Sequence, residues 1–183
     1  MIGIIGAMDE EVAKLKEKMD DVKVETIAAM DFYEGNLKGH PVVVVRSGIG
    51  KVNAGMCTQI LALKYNVDAI INTGIAGSLD ADIDIGDIVL STDTLEHDMD
   101  AVAFGYPVGQ VPRMDTLSFV ADEKLRNIAR EVCNEVNPDQ PLLHADRAGE
   151  RLRVDENQAG PAVPVRVHRS CARCGKPGRG DDG

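Results

Sequence analysis

No run of about 18 consecutive apolar residues occurs anywhere in this 183-residue chain, so no helical span long enough for a bilayer is expected. Positive charge is scarce as well. Twenty Lys and Arg stand against 30 Asp and Glu, leaving a net charge of −10. A surface of that sign repels phosphate, which argues against nucleic acid as a partner. A basic N-terminal stretch is also missing: the apolar start at Ile2 meets Asp9, Glu10 and Glu11 almost at once, so no secretory leader is expected. Cysteine is limited to Cys57, Cys133, Cys171 and Cys174, the first two on helical patterns and the last two near the C-terminus. That is no disulfide framework, and a cytoplasmic setting fits it best.

What remains is aliphatic. Ile, Val, Leu and Ala dominate a hydrophobic fraction of 44%, enough for one domain with a real core. Residues 1–8 form a short apolar run with glycines at 3 and 6, which reads as a buried strand ending in a tight turn. Asp9 is placed to cap a helix on which Val12, Leu15 and Met19 recur at helical spacing. Residues 31–45 read as a hairpin turning through Asn36-Leu37-Lys38-Gly39. A glycine-rich loop, Ser47 to Lys51, leads into a helix over 52–65. Residues 67–73 form another buried strand, followed by the loop Gly74-Ile75-Ala76-Gly77-Ser78 and a strand from Ile83 to Ser91. Residues 92–118 are irregular, and 122–136 form an amphipathic helix that starts at Asp122 and stops at Asn137-Pro138. Strand, glycine loop and helix alternate, which is the pattern of an α/β fold with a largely parallel sheet.

Glu11 lies in the first turn of a helix at the carboxyl end of a strand, the edge where open α/β sheets bind ligands. A carboxylate there can orient or deprotonate a water. The placement also has a purely local explanation, because the helix macrodipole draws acidic residues to a first turn. The loops Ser47–Lys51 and Gly74–Ser78 each follow a buried strand and let a ligand approach the backbone. Neither has the spacing of a Walker loop or of a dinucleotide fingerprint. Two such loops at one sheet edge point to a pocket for a small molecule. His97, Asp98 and Asp100 do not reach metal-ligand spacing with any other cluster, and Cys171-x-x-Cys174 after His168 amounts to half a zinc knuckle. No metal and no cofactor are expected.

Five linked segments resemble one family. MIGIIGAMDEEV at 1–12, RSGIGKV at 46–52, AIINTGIAG at 69–77, GDIVLS at 86–91 and HDMDAVAFGYPVGQVP at 97–112 are similar, in order and spacing, to the 5′-methylthioadenosine/S-adenosylhomocysteine nucleosidases. The resemblance implies a fold like that of purine nucleoside phosphorylase (an α/β fold with a mixed central sheet and helices on both faces, here incomplete at the C-terminal side), a homodimer, and small adenine thionucleosides as substrates. By the same resemblance, Glu11 matches the general base that activates the attacking water, and Met8 the residue beside the ribose. Ile49 and Gly50 match the pocket wall, and Ala76 and Gly77 the loop that holds the purine. Phe104 and Pro112 match positions lent across a dimer to cover the alkylthio group. The apolar character of Ile49, Phe104 and Pro112 suits such a substituent. The family's acid, an aspartate in a late Ser-Asp pair, and its ribose-holding Met-Glu pair have no match here, because neither pair occurs in the chain. Two alternatives stay open: a related purine nucleosidase or phosphorylase of the same fold, and an inactive fragment that binds adenine ligands or dimerises.

The resemblance stops near residue 137, and so does the composition. From Asp139 to Gly183 there is no Ile, Phe, Tyr or Met, Arg supplies seven of 45 residues, and Pro and Gly together supply ten. Such a segment buries too little apolar surface to offset its ordering entropy. The sequence therefore divides into 1–137, the N-terminal part of a nucleosidase domain, and 138–183, a tail of low order. The break predicts a reading-frame change near codon 139. Translating the neighbouring frame is expected to yield the rest of the sheet, and a frame with no recognisable continuation overturns the idea.

Overall fold

The computed structural model describes residues 1–77, 83, 86–136, 142–145 and 163–168, the last two stretches as backbone only. The chain runs β1 (Ile2–Gly6), α1 (Asp9–Lys16), β2 (Met19–Ile27), β3 (Met30–Leu37), β4 (His40–Arg46), α2 (Lys51–Leu63), β5 (Ala69–Thr73), β6 (Ile88–Ser91), β7 (Asp93–Thr94), β8 (Phe119–Val120), α3 (Glu123–Val136), β9 (Leu142–Ala145) and β10 (Val163–His168). A single 3₁₀ turn, Val102–Phe104, interrupts the irregular stretch before β8.

Eight strands form one mixed sheet in the order β2-β3-β4-β1-β5-β10-β6-β9, and β7 pairs with β8 apart from it. β1 lies parallel between β4 and β5, with Ile5 opposite Val45 on one side and Asn72 on the other. The carboxyl ends of these three strands therefore share one edge. β10 runs antiparallel to β5 and parallel to β6. Two strands thus come from the segment beyond 137, whose composition suggested little order. The remaining residues of that segment, including Cys171 and Cys174, lie outside the described residues.

Alternation along the central strands gives each face its own helix. Ile4, Val42 and Val44 point to one side and pack with Val12 of α1 and Met19. Ile5, Val43 and Val45 point to the other and pack with Cys57 and Leu61 of α2 and Ile70. Consecutive valines can line both faces only because strand side chains alternate with a period of two. The expected mixed sheet with helices on both faces is what the chain forms. Burial pushes the Cys57 thiol up to about 12, as befits a residue closed inside the core.

The sheet's near edge departs from the sequence reading. Helical spacing placed Met19 on α1, yet α1 ends at Lys16 and Met19 opens a nine-residue strand. Charge explains the difference: Asp20, Asp21, Lys23 and Glu25 line β2, an edge strand of the kind that charged side chains protect from further pairing. Asp9 was expected to cap α1, but Met8 holds the cap position and Asp9 instead pairs with Arg46 at 3.2 Å. The β3–β4 hairpin forms as read, with its turn tightened to Lys38-Gly39 at φ values of 50° and 80°. Asp122 caps α3 as expected by accepting the Leu125 N–H at 2.9 Å. Among the described residues no helix is long and apolar enough to cross a membrane.

The β2–β3 hairpin is closed by Ala28-Ala29, at φ values of 50° and 61°. Left-handed backbone costs a non-glycine residue about 1–2 kcal/mol. A two-residue hairpin turn of this type prefers Asn then Gly. The double substitution Ala28→Asn, Ala29→Gly is therefore expected to raise stability by about 1 kcal/mol, read as a higher urea midpoint at unchanged slope. A lower midpoint would show that the turn carries no strain.

Candidate functional site

Three strand ends build the site. β1 ends at Gly6, β4 at Arg46 and β5 at Thr73, and each passes directly into a loop. Ser47 locks two of these together: its N–H donates to Gly6 O at 2.9 Å, and its hydroxyl donates to Gly48 O at 2.9 Å. Gly48 and Gly50 follow with φ values of 85° and 98°, which is backbone that favours glycine. Gly50 then caps α2.

Glu11 stands where these ends converge. Its Oε2 accepts the Met8 N–H at 2.9 Å and its Oε1 accepts the Ile75 N–H at 2.9 Å. The carboxylate thereby joins the start of α1 to the loop after β5, a separation of 64 residues. Each oxygen keeps lone-pair capacity for a further donor such as water. The glycines beneath it make the fit possible. A Cβ on Gly74 would lie 2.3 Å from Glu11 Oε1, and one on Gly6 would lie 3.0 Å from Glu11 Cβ. Sequence reading gave the Gly74 loop the task of admitting a ligand; the group that approaches its backbone most closely is the chain's own carboxylate.

A cleft of about 470 Å³ opens at Met8, the residue whose N–H Glu11 holds; its wall is Ala7, Met8, Asp9, Glu10, Arg46, Gly48, Ile49 and Asn53, and Glu11 is not part of it. Of the sequence-selected residues, Met8 and Ile49 stand in this wall, and Ile49 is 59% exposed toward solvent. Gly50 adjoins Ile49. Ala76 is buried and Gly77 half-buried, in the loop whose Ile75 holds Glu11. Phe104 and Pro112 are not in the wall; both are exposed, on the irregular segment before β8.

Two groups were missed. Asn53 donates from Nδ2 to Ile49 O at 2.7 Å and so fixes the Gly48–Gly50 loop from the first turn of α2. An Asn inside a helix just after Gly-Ile-Gly is the signal that could have found it. Lys51 donates to Glu96 Oε2 at 2.8 Å and to Asp98 Oδ1 at 2.6 Å. The bonds to Asp98 and then Glu96 push the lysine ammonium well above its usual range, and the Lys51 bond holds the Asp98 carboxyl below its own. Asp98, weighed as a metal ligand in the sequence, thus faces a cation of the chain. Among the described residues no three of His, Cys, Asp and Glu come together.

The family model described as the phosphorylase superfamily matches residues 1–152, fifteen residues past the expected boundary at 137. A 5′-methylthioadenosine/S-adenosylhomocysteine nucleosidase of Staphylococcus haemolyticus is 48% identical over 137 residues, 75% of this chain and 60% of the relative. One from a Marinomonas species is 44% identical over 167 residues, 91% of this chain and 68% of the relative. The chain thus spans about three-fifths of the length of the Staphylococcus relative it matches. Among solved structures, the nucleosidase of Colwellia psychrerythraea in complex with adenine superposes with a TM-score of 0.74 at 42% identity, covering 78% of this chain and 59% of that one. The Neisseria meningitidis enzyme in complex with methylthio-immucillin-A gives 0.75 at 37%, covering 78% and 61%.

The contact between Gly74 and Glu11 can be tested by substitution. Gly74→Ala forces the carboxylate out of its two N–H bonds, at an expected cost of about 1–3 kcal/mol. In a Glu11→Ala background the same change should cost far less. Equal costs in both backgrounds, measured by urea unfolding, would remove the glycine from this role.

Proposed function

Because the chain belongs to the 5′-methylthioadenosine/S-adenosylhomocysteine nucleosidases of the phosphorylase superfamily, we propose that this site serves hydrolysis of the N-glycosidic bond of adenine thionucleosides. The observation that carries the reading is the Glu11 carboxylate, fixed by the Met8 and Ile75 N–H groups where the strand ends converge, with Met8 also lining an open cleft. Adenine and a nucleoside analogue bound to the Colwellia and Neisseria relatives support it.

In the proposed reaction the bond from C1′ to the purine nitrogen breaks with its electron pair leaving on adenine. The ribose takes on oxocarbenium character. Water forms the new bond at C1′ and gives a proton to Glu11. Met8 lies beside the ribose, Ile49 and Gly50 wall the pocket, and Ala76 and Gly77 hold the purine. A second copy supplies Phe104 and Pro112 over the alkylthio group. Support for the homodimer comes from exposed apolar side chains: Val52 is 84% exposed, Leu63 77% and Phe104 83%. The proposed setting is cytoplasmic, with neither nucleic acid nor membrane as partner.

A phosphorylase needs a free cation for phosphate. Arg46, the one arginine in the cleft wall, is already paired with Asp9, so hydrolysis is the better reading. A proton for the departing adenine is a separate matter. The family's acid has no counterpart in this sequence, and a missing general acid costs about 10²–10⁴ in rate. We read residues 138–183 as a segment that does not supply it.

The expected outcome is binding of methylthioadenosine with adenine release well below about 1 s⁻¹, independent of phosphate. Glu11→Gln should remove the residual release. It should also cost about 1–3 kcal/mol of stability, because an amide can accept only one of the two N–H bonds. Equilibrium dialysis and chromatographic detection of adenine read both. No binding by the unaltered chain, or release unchanged by Glu11→Gln, rejects the reading.

A further inference from the structure

We propose that Lys51 is the positioning residue for the segment 95–114, setting where Phe104 and Pro112 stand; the part of this that concerns ligand rests on the nucleosidase reading above. Lys51 is the first residue of α2, and its ammonium reaches Glu96 Oε2 at 2.8 Å and both oxygens of Asp98 at 2.6 and 2.8 Å. Among the described residues, every other hydrogen bond made by 95–114 stays within that segment. The Met99 N–H donates to Glu96 O, the Gly109 N–H to Met99 O and the Arg113 N–H to the Tyr106 hydroxyl. Among the described residues, Lys51 is thus the single polar link from twenty residues of irregular chain to the sheet and its helices.

Apolar burial holds the segment only in part: Ala101 is buried and Leu95, Met99, Tyr106 and Val111 are half-buried, but Val102, Phe104 and Val108 are 54%, 83% and 60% exposed. The tether is placed to matter electrostatically as well. α2 has no acidic residue in its first turn, and a lysine at the first position opposes the helix dipole. Glu96 and Asp98 bring the missing negative charge from another part of the chain. An isolated surface pair is worth little, but here one cation is shared by two carboxylates with three short contacts, at the root of the loop that carries the pocket walls Gly48 and Ile49. The same residue therefore fixes the irregular segment relative to the cleft.

The test uses the full chain and the variants Lys51→Met and Lys51→Arg. Hydrogen exchange at the amides of Met99, Phe104 and Gly109 should quicken about fivefold in Lys51→Met and stay near normal in Lys51→Arg, while strand amides in 42–46 and 69–73 do not change. Replacing Glu96 by Gln together with Asp98 by Asn should give the same acceleration, with no further gain when combined with Lys51→Met. Methylthioadenosine should bind more weakly to Lys51→Met while adenine binds as before, because only the former reaches the positioned segment. Unchanged exchange in Lys51→Met overturns the tether. Faster exchange with an unchanged ratio of the two affinities overturns its positioning role. If the unaltered chain binds neither ligand, the nucleosidase reading fails, and exchange alone decides for or against the tether.

Discussion

A carboxylate that bonds two backbone N–H groups from well-separated parts of the sequence fixes the backbone around this site. Glu11 takes one proton donor from Met8 and one from Ile75. Those bonds seat α1 on the carboxyl edge of the sheet and pin the loop after β5 against it. The requirement runs backward into the sequence. Gly74 is needed because a side chain there would occupy the space of the glutamate, and one at Gly6 would press on both Val12 and Glu11. In the proposed reaction it also runs forward into chemistry, since a carboxylate whose orientation is set in advance needs little reorganisation to take a proton from water.

The strands beneath make that convergence possible. Parallel pairing of β1 with both β4 and β5 brings Gly6, Arg46 and Thr73 to one edge. Fully buried Phe32, Leu61, Val43, Val44 and Val45 hold the sheet and its two helices in register. Burying a side chain of this kind is worth about 1.5–3 kcal/mol. A one-residue slip would exchange the two faces, presenting the contacts of α1 to α2 and the reverse. The position of Glu11 thus depends on a hydrophobic alternation more than 30 residues away from it in sequence.

Much of this was legible in the chain. The buried runs at 1–8 and 67–73, the hairpin near Lys38-Gly39 and the Asp122-capped helix all follow from local pattern, and local pattern forms them. The resemblance led to Glu11, Met8 and Ile49, which the fold brings to one place. What stayed hidden had non-local causes. Met19 fits a helical period, and only the pairing of charged β2 with β3 makes it a strand residue. Ala28-Ala29 carries no turn signature; the ladder on either side imposes its left-handed backbone. The ion pairs from Lys51 to Glu96 and Asp98 span 45 and 47 residues, beyond any periodicity.

The third helix shows where pattern and packing part company. Its apolar residues recur cleanly at helical spacing, and the chain duly forms a helix over Glu123–Val136. Yet none of its residues is buried: Ile128, Val132 and Val136 are 46%, 49% and 67% exposed. Capping and intrinsic propensity can shape fourteen residues, but a stable place in a fold comes from burying the apolar stripe. The first two helices have that burial, through Val12 on one face and Cys57 and Leu61 on the other. The half of the sheet that holds Glu11 is therefore closed by α1 and α2, whereas beyond β5 the side chains of Val89 and Leu90 are buried while the apolar stripe of α3 stays open.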